Sequence, residues 1–129
     1  MNTGSERTDR RRLLGRRGED AAVERLISLG YHISDRNWRC RSGELDIVAS
    51  YNGIVVFIEV RTRTEGGRFG TAAESVDLRK QHQVIATSQV YMLANKLSQA
   101  AAIRFDVMAV TIERSSDQII AINHIEGAF

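Results

Sequence analysis

The 129-residue chain carries 18 lysine and arginine residues against 16 aspartate and glutamate residues, so its net charge is only +2. Its hydrophobic content of 43% and charged content of 26% are ordinary for a soluble globular protein. No apolar run approaches the ~18 residues of a membrane span. These values predict one domain with a real core and argue against a membrane protein, while the near balance of charge supports a nucleic-acid partner only weakly.

The single cysteine, Cys40, excludes an internal disulfide and a multi-cysteine zinc site. It is typical of a reducing compartment, and we predict a cytoplasmic protein. The basic residues are almost all arginines, which favour bidentate contacts with carboxylate or phosphate. The oligomeric state stays open, a homodimer included.

The first twelve residues are polar and basic, with Arg7 and the run Arg10 to Arg12. We interpret residues 1–12 as a disordered basic arm that precedes a single domain over residues 13–129. This arm either is an idle solvated terminus or contacts the backbone of a nucleic acid.

An apolar stripe at helical spacing predicts a first helix from roughly residue 14 to residue 29. The stripe consists of Ala22, Val23, Leu26 and Ile27. Glu19 projects from the N-terminal end of this stripe, at the edge of a face that should be buried. It either needs a partner there or is an N-terminal acid favoured by the helix dipole.

The most informative stretch predicts a β-hairpin. Two apolar, β-branched runs flank an Asn-Gly pair at 52–53, which is the strongest short-range hairpin signal. With this pair at the centre of the turn, Asp46 lies directly opposite Glu59. By the same register, Glu44 lies opposite Arg61. Because positions two apart on a strand share a face, all four charged side chains lie on one face of the hairpin.

The same register gives the hairpin a second, uncharged face that should be core. That face consists of Leu45, Ile47, Val56, Ile58 and Val60. The charged face continues inward with Val48 and Phe57. The assignment depends on the turn, since a loop of odd length would put the two carboxylates on opposite faces.

The pairing of Asp46 with Glu59 needs a reason, because like charges directly opposite on a sheet repel. A hard divalent cation would replace this repulsion with ligation, since Mg²⁺ is typically held by one or two carboxylates plus water and phosphate oxygens. In the alternative interpretation this is a solvated polar face, on which Arg61 bridges Glu44 and Glu59.

The remaining elements complete the order α-β-β-β-α-β-β. We predict a strand over 31–40 before the hairpin, a second helix from its N-cap Asp77 to about Asn95, and two strands over 103–112 and 118–125. This order predicts a mixed sheet with helices packed on it, in a single α/β or α+β domain.

Three further features of the sequence each have a functional and a structural interpretation. A glycine-rich basic loop follows the hairpin and contains Arg63 and Arg68; it either holds phosphates or is a plain surface loop. Lys80 lies in the first turn of the second helix, where the dipole disfavours a cation unless it reaches an anion. Trp38, among arginines, either stacks on a base or packs against the core.

Together these motifs resemble the YraN-like family, a group of small bacterial proteins related to restriction-endonuclease-like nucleases. The matching motifs are Gly18-Glu19, Asn37-Trp38-Arg39, Gly43-Glu44-Leu45-Asp46, the run from Phe57 to Arg63, Phe69-Gly70, Lys80, Arg104-Phe105-Asp106 and Ala128-Phe129. The resemblance implies a restriction-endonuclease-like core, in which helices flank a central mixed sheet, and the D…E-x-K motif of PD-(D/E)XK nucleases.

The resemblance also implies roles for single residues. Asp46 and Glu59 would bind Mg²⁺ or Mn²⁺, with Glu19 as a third ligand either directly or through water. Arg61 stands where the motif has a lysine. Because arginine is effectively always protonated, it cannot be the general base, although it can hold the scissile phosphate and offset charge in the transition state. The metal would then have to activate the water, or Lys80 would have to stand in.

The expected function is therefore a Mg²⁺-dependent endonuclease that hydrolyses DNA, with branched DNA as one candidate substrate. Arg61, Arg63, Arg68 and Lys80 would contact the phosphate backbone, so binding would be salt-dependent and largely blind to sequence. The alternative is a nucleic-acid-binding module on a nuclease fold without turnover, because fold does not determine function. Arg61 favours this alternative, whereas the carboxylates favour the enzyme.

Overall fold

The computed structural model describes residues 3–65 and 76–129, so Arg68 and the glycines of the basic loop lie outside the described residues. The elements are α1 (Thr3–Ser28), β1 (His32–Cys40), β2 (Gly43–Tyr51), β3 (Ile54–Thr64), α2 (Leu78–Ala94), β4 (Ile103–Ile112) and β5 (Ile119–Ile125). The predicted order of helices and strands is confirmed, and the fold is mixed α+β. Neither described helix is long and apolar enough to cross a bilayer.

The strands form one five-stranded sheet in the order β1-β2-β3-β4-β5. The pair β3–β4 is parallel and the other three pairs are antiparallel, so the sheet is mixed as predicted. Alternation along β3 separates two packed layers: Val56 and Ile58 contact the cluster built on α1, whereas Phe57 contacts the cluster built on α2. The two helices therefore cover opposite faces of the sheet.

Helix α1 begins much earlier than its apolar stripe indicates. It starts at Thr3 rather than near Leu14, so residues 3–12 of the basic stretch are part of the helix in the structure. Arginine is a good helix former, but an arginine-rich stretch carries no apolar periodicity to announce a helix. The basic stretch is thus a continuation of α1.

The hairpin register is confirmed over most of its length, from the pair Tyr51–Ile54 to the pair Ile47–Ile58. The turn residues at 52 and 53 have φ angles of 50° and 77°, which is the left-handed conformation that a two-residue type I′ turn needs. The paired ladder ends one step before the two predicted metal ligands.

The predicted core face of the hairpin is wrong at Leu45. This side chain packs with Phe57 on the α2 side, whereas Ile47 packs on the α1 side. The alternation is therefore interrupted at Asp46. The neighbouring strand is irregular at the same level, where Asn37 has a positive φ of 52°. Irregularities of this kind re-aim side chains, and they have no signature in the hydrophobic pattern.

Helix α2 has the predicted ends, with Asp77 as its N-cap and Asn95 as its C-cap. Its buried side consists of Val84, Thr87, Ser88, Tyr91 and Met92. The apolar residues Leu78 and Leu93 are instead 69% and 68% exposed. Ile27, which belongs to the predicted apolar stripe of α1, is likewise 58% exposed. Apolar residues at the margin of a helical stripe can lie on either side of the boundary, and the partner surface decides which.

Trp38 packs edge-on against Tyr91 of α2, with ring centroids 5.2 Å apart. The hydroxyl of Tyr91 in turn donates a hydrogen bond to Asp35 Oδ2 at 2.7 Å. Trp38 is thus part of the packing between β1 and α2, which agrees with the core alternative for this tryptophan.

Candidate metal and nucleic-acid site

A cleft of about 650 Å³ lies between α1 and the C-terminal end of β3. Its charged lining residues are Arg11, Glu19, Glu44, Asp46, Arg61 and Arg63. Helix α1 and the hairpin therefore bring most of the predicted site residues to one place. Glu59, on the strand that carries Arg61, is not among the lining residues.

Gly18 sets the distance between α1 and β3. A Cβ atom at this position would collide with Thr62 Oγ1, so glycine is what lets the helix lie this close to the strand. Gly15 precedes it by three residues and also lines the cleft, but a Cβ there would meet nothing within 4 Å. The two glycines therefore have different roles.

We expect substitution by alanine to change the free energy of unfolding in opposite directions at the two glycines. Gly18→Ala should lower the free energy of unfolding by about 1–3 kcal/mol, because Thr62 is branched at Cβ and cannot easily move aside. Gly15→Ala should raise it by about 1 kcal/mol through better helix propensity. Urea denaturation of both variants measures this difference, and equal shifts would contradict the close approach of α1 to β3.

Asp46 is anchored by the backbone of β3. Its Oδ2 accepts a hydrogen bond of 2.9 Å from the N–H of Val60. Burial raises the pKa of Asp46 above its ordinary value, and the charge of Glu44 adds to this rise; the Val60 hydrogen bond and the charge of Lys80 oppose it. The carboxylate thus lies next to the strand that carries Glu59.

Glu59 is the most deeply buried acid at this site, with 3% of its surface exposed. Its Oε1 lies 3.5 Å from Lys80 Nζ, while its Oε2 has no hydrogen-bond partner among the described residues. Burial, and after it the negative charge of Asp46, raise the pKa of Glu59 to about 7, although the charges of Lys80 and Arg61 act the other way. The two carboxylates are therefore close enough to repel each other.

Glu19 is held from β1 by residues that the sequence did not single out for this role. Its Oε1 accepts hydrogen bonds from Asn37 Nδ2 at 2.9 Å and from Arg36 Nε and Nη2 at 3.3 and 3.2 Å. Burial and then the charge of Asp46 raise the pKa of Glu19, against these donors. The one sequence signal was Asn37 itself, since asparagine is depleted within strands.

The solvated-face alternative for the hairpin is not observed. Glu44 pairs with Arg39 of β1, at 3.4 Å between Oε2 and Nε. Glu59 pairs with Lys80, which is the anion contact that a lysine in the first turn of a helix needs. Arg61 therefore does not bridge Glu44 and Glu59, and its buried Nε has no hydrogen-bond partner among the described residues.

Arg63 lines the same cleft two residues further along β3. Its Nε donates a hydrogen bond to Thr111 Oγ1 of β4 at 3.4 Å. The hydrogen bond orients this guanidinium along the sheet. Two of the predicted phosphate-binding cations, Arg61 and Arg63, thus lie on the β3 wall, and a third, Lys80, lies on α2.

The carboxylates fit a cation that takes two protein ligands rather than three. Across residues 3–65 and 76–129, no group of three His, Cys, Asp or Glu side chains could hold a metal ion. Asp46 and Glu59 nevertheless offer two carboxylates, one with an unpartnered buried oxygen. Mg²⁺ is usually bound through one or two carboxylates, with water and phosphate oxygens completing its octahedron. The pair therefore suits Mg²⁺, whereas Glu19 already receives hydrogen bonds on one oxygen.

The model of the uncharacterised protein family UPF0102 matches residues 18–110 of the chain. The chain belongs to this family. A UPF0102 protein of Alkaliphilus oremlandii is 42% identical over 117 residues, which cover 90% of this chain and 97% of the relative. A UPF0102 protein of Frankia casuarinae is 44% identical over 116 residues, covering 90% and 95%. Another, of Moorella thermoacetica, is 43% identical over 119 residues, covering 92% and 97%.

Membership of UPF0102 confirms the YraN-like resemblance of the sequence. The matched stretch contains all the described candidate site residues predicted from the sequence, which are Glu19, Asp46, Glu59, Arg61, Arg63 and Lys80. Arg11, which the structure adds to the cleft, precedes that stretch.

Proposed function

We propose that the protein is a Mg²⁺-dependent endonuclease that hydrolyses phosphodiester bonds of DNA on a restriction-endonuclease-like fold. The observation that carries this proposal is the pair Asp46 and Glu59. Both carboxylates are largely removed from water, they repel each other, and Glu59 Oε2 has no partner among the described residues. Such an arrangement costs folding free energy, and a cation bound between the two groups would remove that cost.

The fold supports the likeness to restriction-endonuclease-like nucleases. The two acids lie on neighbouring antiparallel strands of a mixed sheet that has a helix on each face. The spacing Glu59-Val60-Arg61 follows the E-x-K pattern except for its last residue. The cleft beside the acids is also lined by arginines, and arginine is suited to phosphate.

Each residue of the site would have a separate role in hydrolysis. Asp46 and Glu59 would hold the ion, which when bound would polarise a phosphoryl oxygen and offset negative charge in the transition state. Arg61, whose Nε is unpartnered among the described residues, would hold the scissile phosphate. Lys80 contacts Glu59 and, unlike arginine, can exchange a proton. Glu19 would act through water, since one of its oxygens is taken.

A second candidate function is binding of nucleic acid without turnover. Two observations favour it: Arg61 replaces the motif lysine, and Arg36 together with Asn37 occupies one oxygen of Glu19. In that case the cleft would still bind the phosphate backbone, but no bond would break.

Cleavage of linear and branched DNA in Mg²⁺ or Mn²⁺ separates the two functions. We expect Asp46→Asn to lower the rate at least about 100-fold, because even the outer-shell partners of metal sites contribute 10- to 100-fold. Asparagine keeps an oxygen that can accept the Val60 hydrogen bond, so the fold should persist. Glu24→Gln makes the same charge change on the exposed side of α1 and is the matched control.

The outcomes of this assay are distinct. Cleavage by wild type and Glu24→Gln but not by Asp46→Asn supports the nuclease. Equal cleavage by all three proteins rules out the proposed site. Binding of DNA by the wild type without cleavage in either metal supports the second candidate function.

A further inference from the structure

The wall of the cleft formed by α1 carries Arg11 and Gly15, which have no role in the proposed metal site. It presents Arg11, Gly15 and Glu19, which are four residues apart and therefore lie on one face of the helix, together with Leu14 beside Gly15. The end of β3, residues 62–64, forms the facing wall. The cleft thus continues along α1 beyond Glu19, toward the basic N-terminal part of the helix.

Arg11 is the cation that this part of α1 turns toward the cleft. It forms no ion pair with any residue of the described parts of the chain. Its neighbour Arg10 is turned elsewhere, because its Nη2 lies 2.9 Å from Asp117 Oδ1 beyond β4. Arg12 is exposed and does not line the cleft. Three consecutive arginines therefore have three different surroundings.

Gly15 leaves the same wall without a side chain at the level between Arg11 and Glu19. Glycine destabilises the middle of a helix, and packing does not require it here, because a Cβ would meet nothing within 4 Å. Gly18 is different, since contact with Thr62 explains it. The helix backbone at Gly15 is thus open to whatever enters the cleft.

The cleft is lined by both acids and arginines. Glu19, Glu44 and Asp46 place negative charge in it, so the approach of a phosphate is unfavourable without help. Arg61 offers a cation on the β3 wall and Arg11 offers one on the α1 wall. A polyanion in the cleft would therefore meet a cation on each of these walls.

We propose that Arg11 and the open backbone at Gly15 form a subsite for the phosphodiester backbone of a DNA strand, one that guides the strand past Asp46. The inference rests on the proposed nucleic-acid function and adds to it where the strand lies. Arg11 binds a phosphate that is not the scissile one, and the missing side chain at Gly15 gives the sugar-phosphate chain room against the helix.

Binding of a short fluorescein-labelled DNA in EDTA, followed by anisotropy over a series of salt concentrations, tests the subsite without any cleavage. Arg11→Ala should weaken binding about tenfold, as loss of a charged hydrogen bond does, and should lower the slope of log affinity against log salt by about one. Arg12→Ala removes the same charge one residue away and should weaken binding much less.

Gly15→Leu provides a steric test at the same wall. Leucine is a good helix former, and its side chain would lean toward the helix N-terminus, over the Arg11 side of the cleft. We expect it to weaken binding several-fold, and Gly15→Ala, which adds only a methyl group to the same wall, to weaken binding less. Circular dichroism of each variant confirms that the helix is intact.

The results separate this subsite from the nuclease function. Equal effects of Arg11→Ala and Arg12→Ala, or normal binding by Gly15→Leu, would overturn the subsite even if the wild type cleaves DNA. Selective loss in Arg11→Ala would support the subsite even if no cleavage occurs in any metal. A wild-type protein that binds no DNA in EDTA would overturn the subsite, whereas cleavage in Mg²⁺ or Mn²⁺ tests the nuclease separately.

Discussion

Glu59→Gln is expected to make the metal-free protein more stable at alkaline pH while abolishing Mg²⁺-dependent cleavage. Burial and the charge of Asp46 raise the pKa of Glu59 from 4.5 to about 7. An acid whose pKa is higher in the folded state binds protons more tightly there than in the unfolded chain. The stability it contributes is therefore complete below about pH 4.5 and is lost as the pH rises through about 7.

The size of the effect follows from the shift. At 1.36 kcal/mol for each pKa unit, the cost of ionising Glu59 in the folded protein is on the order of 3 kcal/mol. Glutamine has nearly the same shape and never ionises, so the free energy of unfolding of the variant does not fall in this way. Wild type and Glu59→Gln should have similar stability near pH 4, diverge as the pH rises from about 4.5 to about 7, and differ by a constant amount above about pH 8.

Urea denaturation in EDTA across this pH range measures the divergence, with Glu24→Gln as the exposed control. Mg²⁺ should then raise the stability of the wild type at alkaline pH, because a ligand that binds only the folded state stabilises it. Glu59→Gln should respond less. Parallel pH profiles for the three proteins would contradict the strained environment of Glu59.

Asp106→Asn should lower the free energy of unfolding by about 3–5 kcal/mol, the usual cost of breaking a buried ion pair. Asp106 is fully buried. Arg104 donates to both of its oxygens at 2.9 Å, His124 Nε2 lies 2.7 Å away, and the N–H of Gly127 donates at 3.0 Å. Asparagine removes the charge and places its own donors against these groups.

Thermal denaturation of Asp106→Asn beside Asp117→Asn measures this effect. Asp117 pairs with Arg10 in an exposed position, and exposed pairs contribute about 0–1 kcal/mol. Burial alone would raise the pKa of Asp106, but hydrogen bonds from His124, Arg104 and Gly127 outweigh it and leave the pKa below its ordinary value. Its stabilisation is therefore present above about pH 4 and lost as the pH falls below that. Equal losses in both variants would contradict the network.

Glu59 and Asp106 are buried acids on neighbouring strands, and they differ in how their oxygens are partnered. Asp106 lies beside Ile58 in the parallel pair, and Val107 lies beside Glu59. The oxygens of Asp106 are fully partnered, so its charge stabilises the fold. Glu59 has one oxygen without a described partner and a negative neighbour. Unsatisfied polar groups of this kind are typical of functional sites.

The turn chemistry and helix caps could be predicted because they depend on residues close together in the chain. An Asn-Gly pair selects its turn and so determines the register of the hairpin, which the structure confirms from Tyr51–Ile54 to Ile47–Ile58. Asp77 caps α2 by accepting the N–H of Lys80. The ladder set by this turn ends at Ile47–Ile58, so the turn brings Asp46 and Glu59 to neighbouring strands without pairing them directly.

Other features depend on residues that are distant in the sequence. The interruption at Asp46, which sends Leu45 to the α2 side, lies opposite Asn37 of β1, whose φ is positive. The clamp on Glu19 comes from Arg36 and Asn37 of β1, at a separation of 17 and 18 residues. Neither the interruption at Asp46 nor the hydrogen bonds to Glu19 follow from a periodicity in the sequence.

The sequence by itself determined the order of the elements, the hairpin turn and the identity of the acids, because these follow from local backbone preferences and from the alternation of side chains. Only the tertiary structure decided how these acids are held and which arginines face the cleft. Three adjacent arginines at 10–12 are equivalent in composition. The packing of α1 against β3 turns one of them toward the site, because Gly18 lets the helix lie against Thr62.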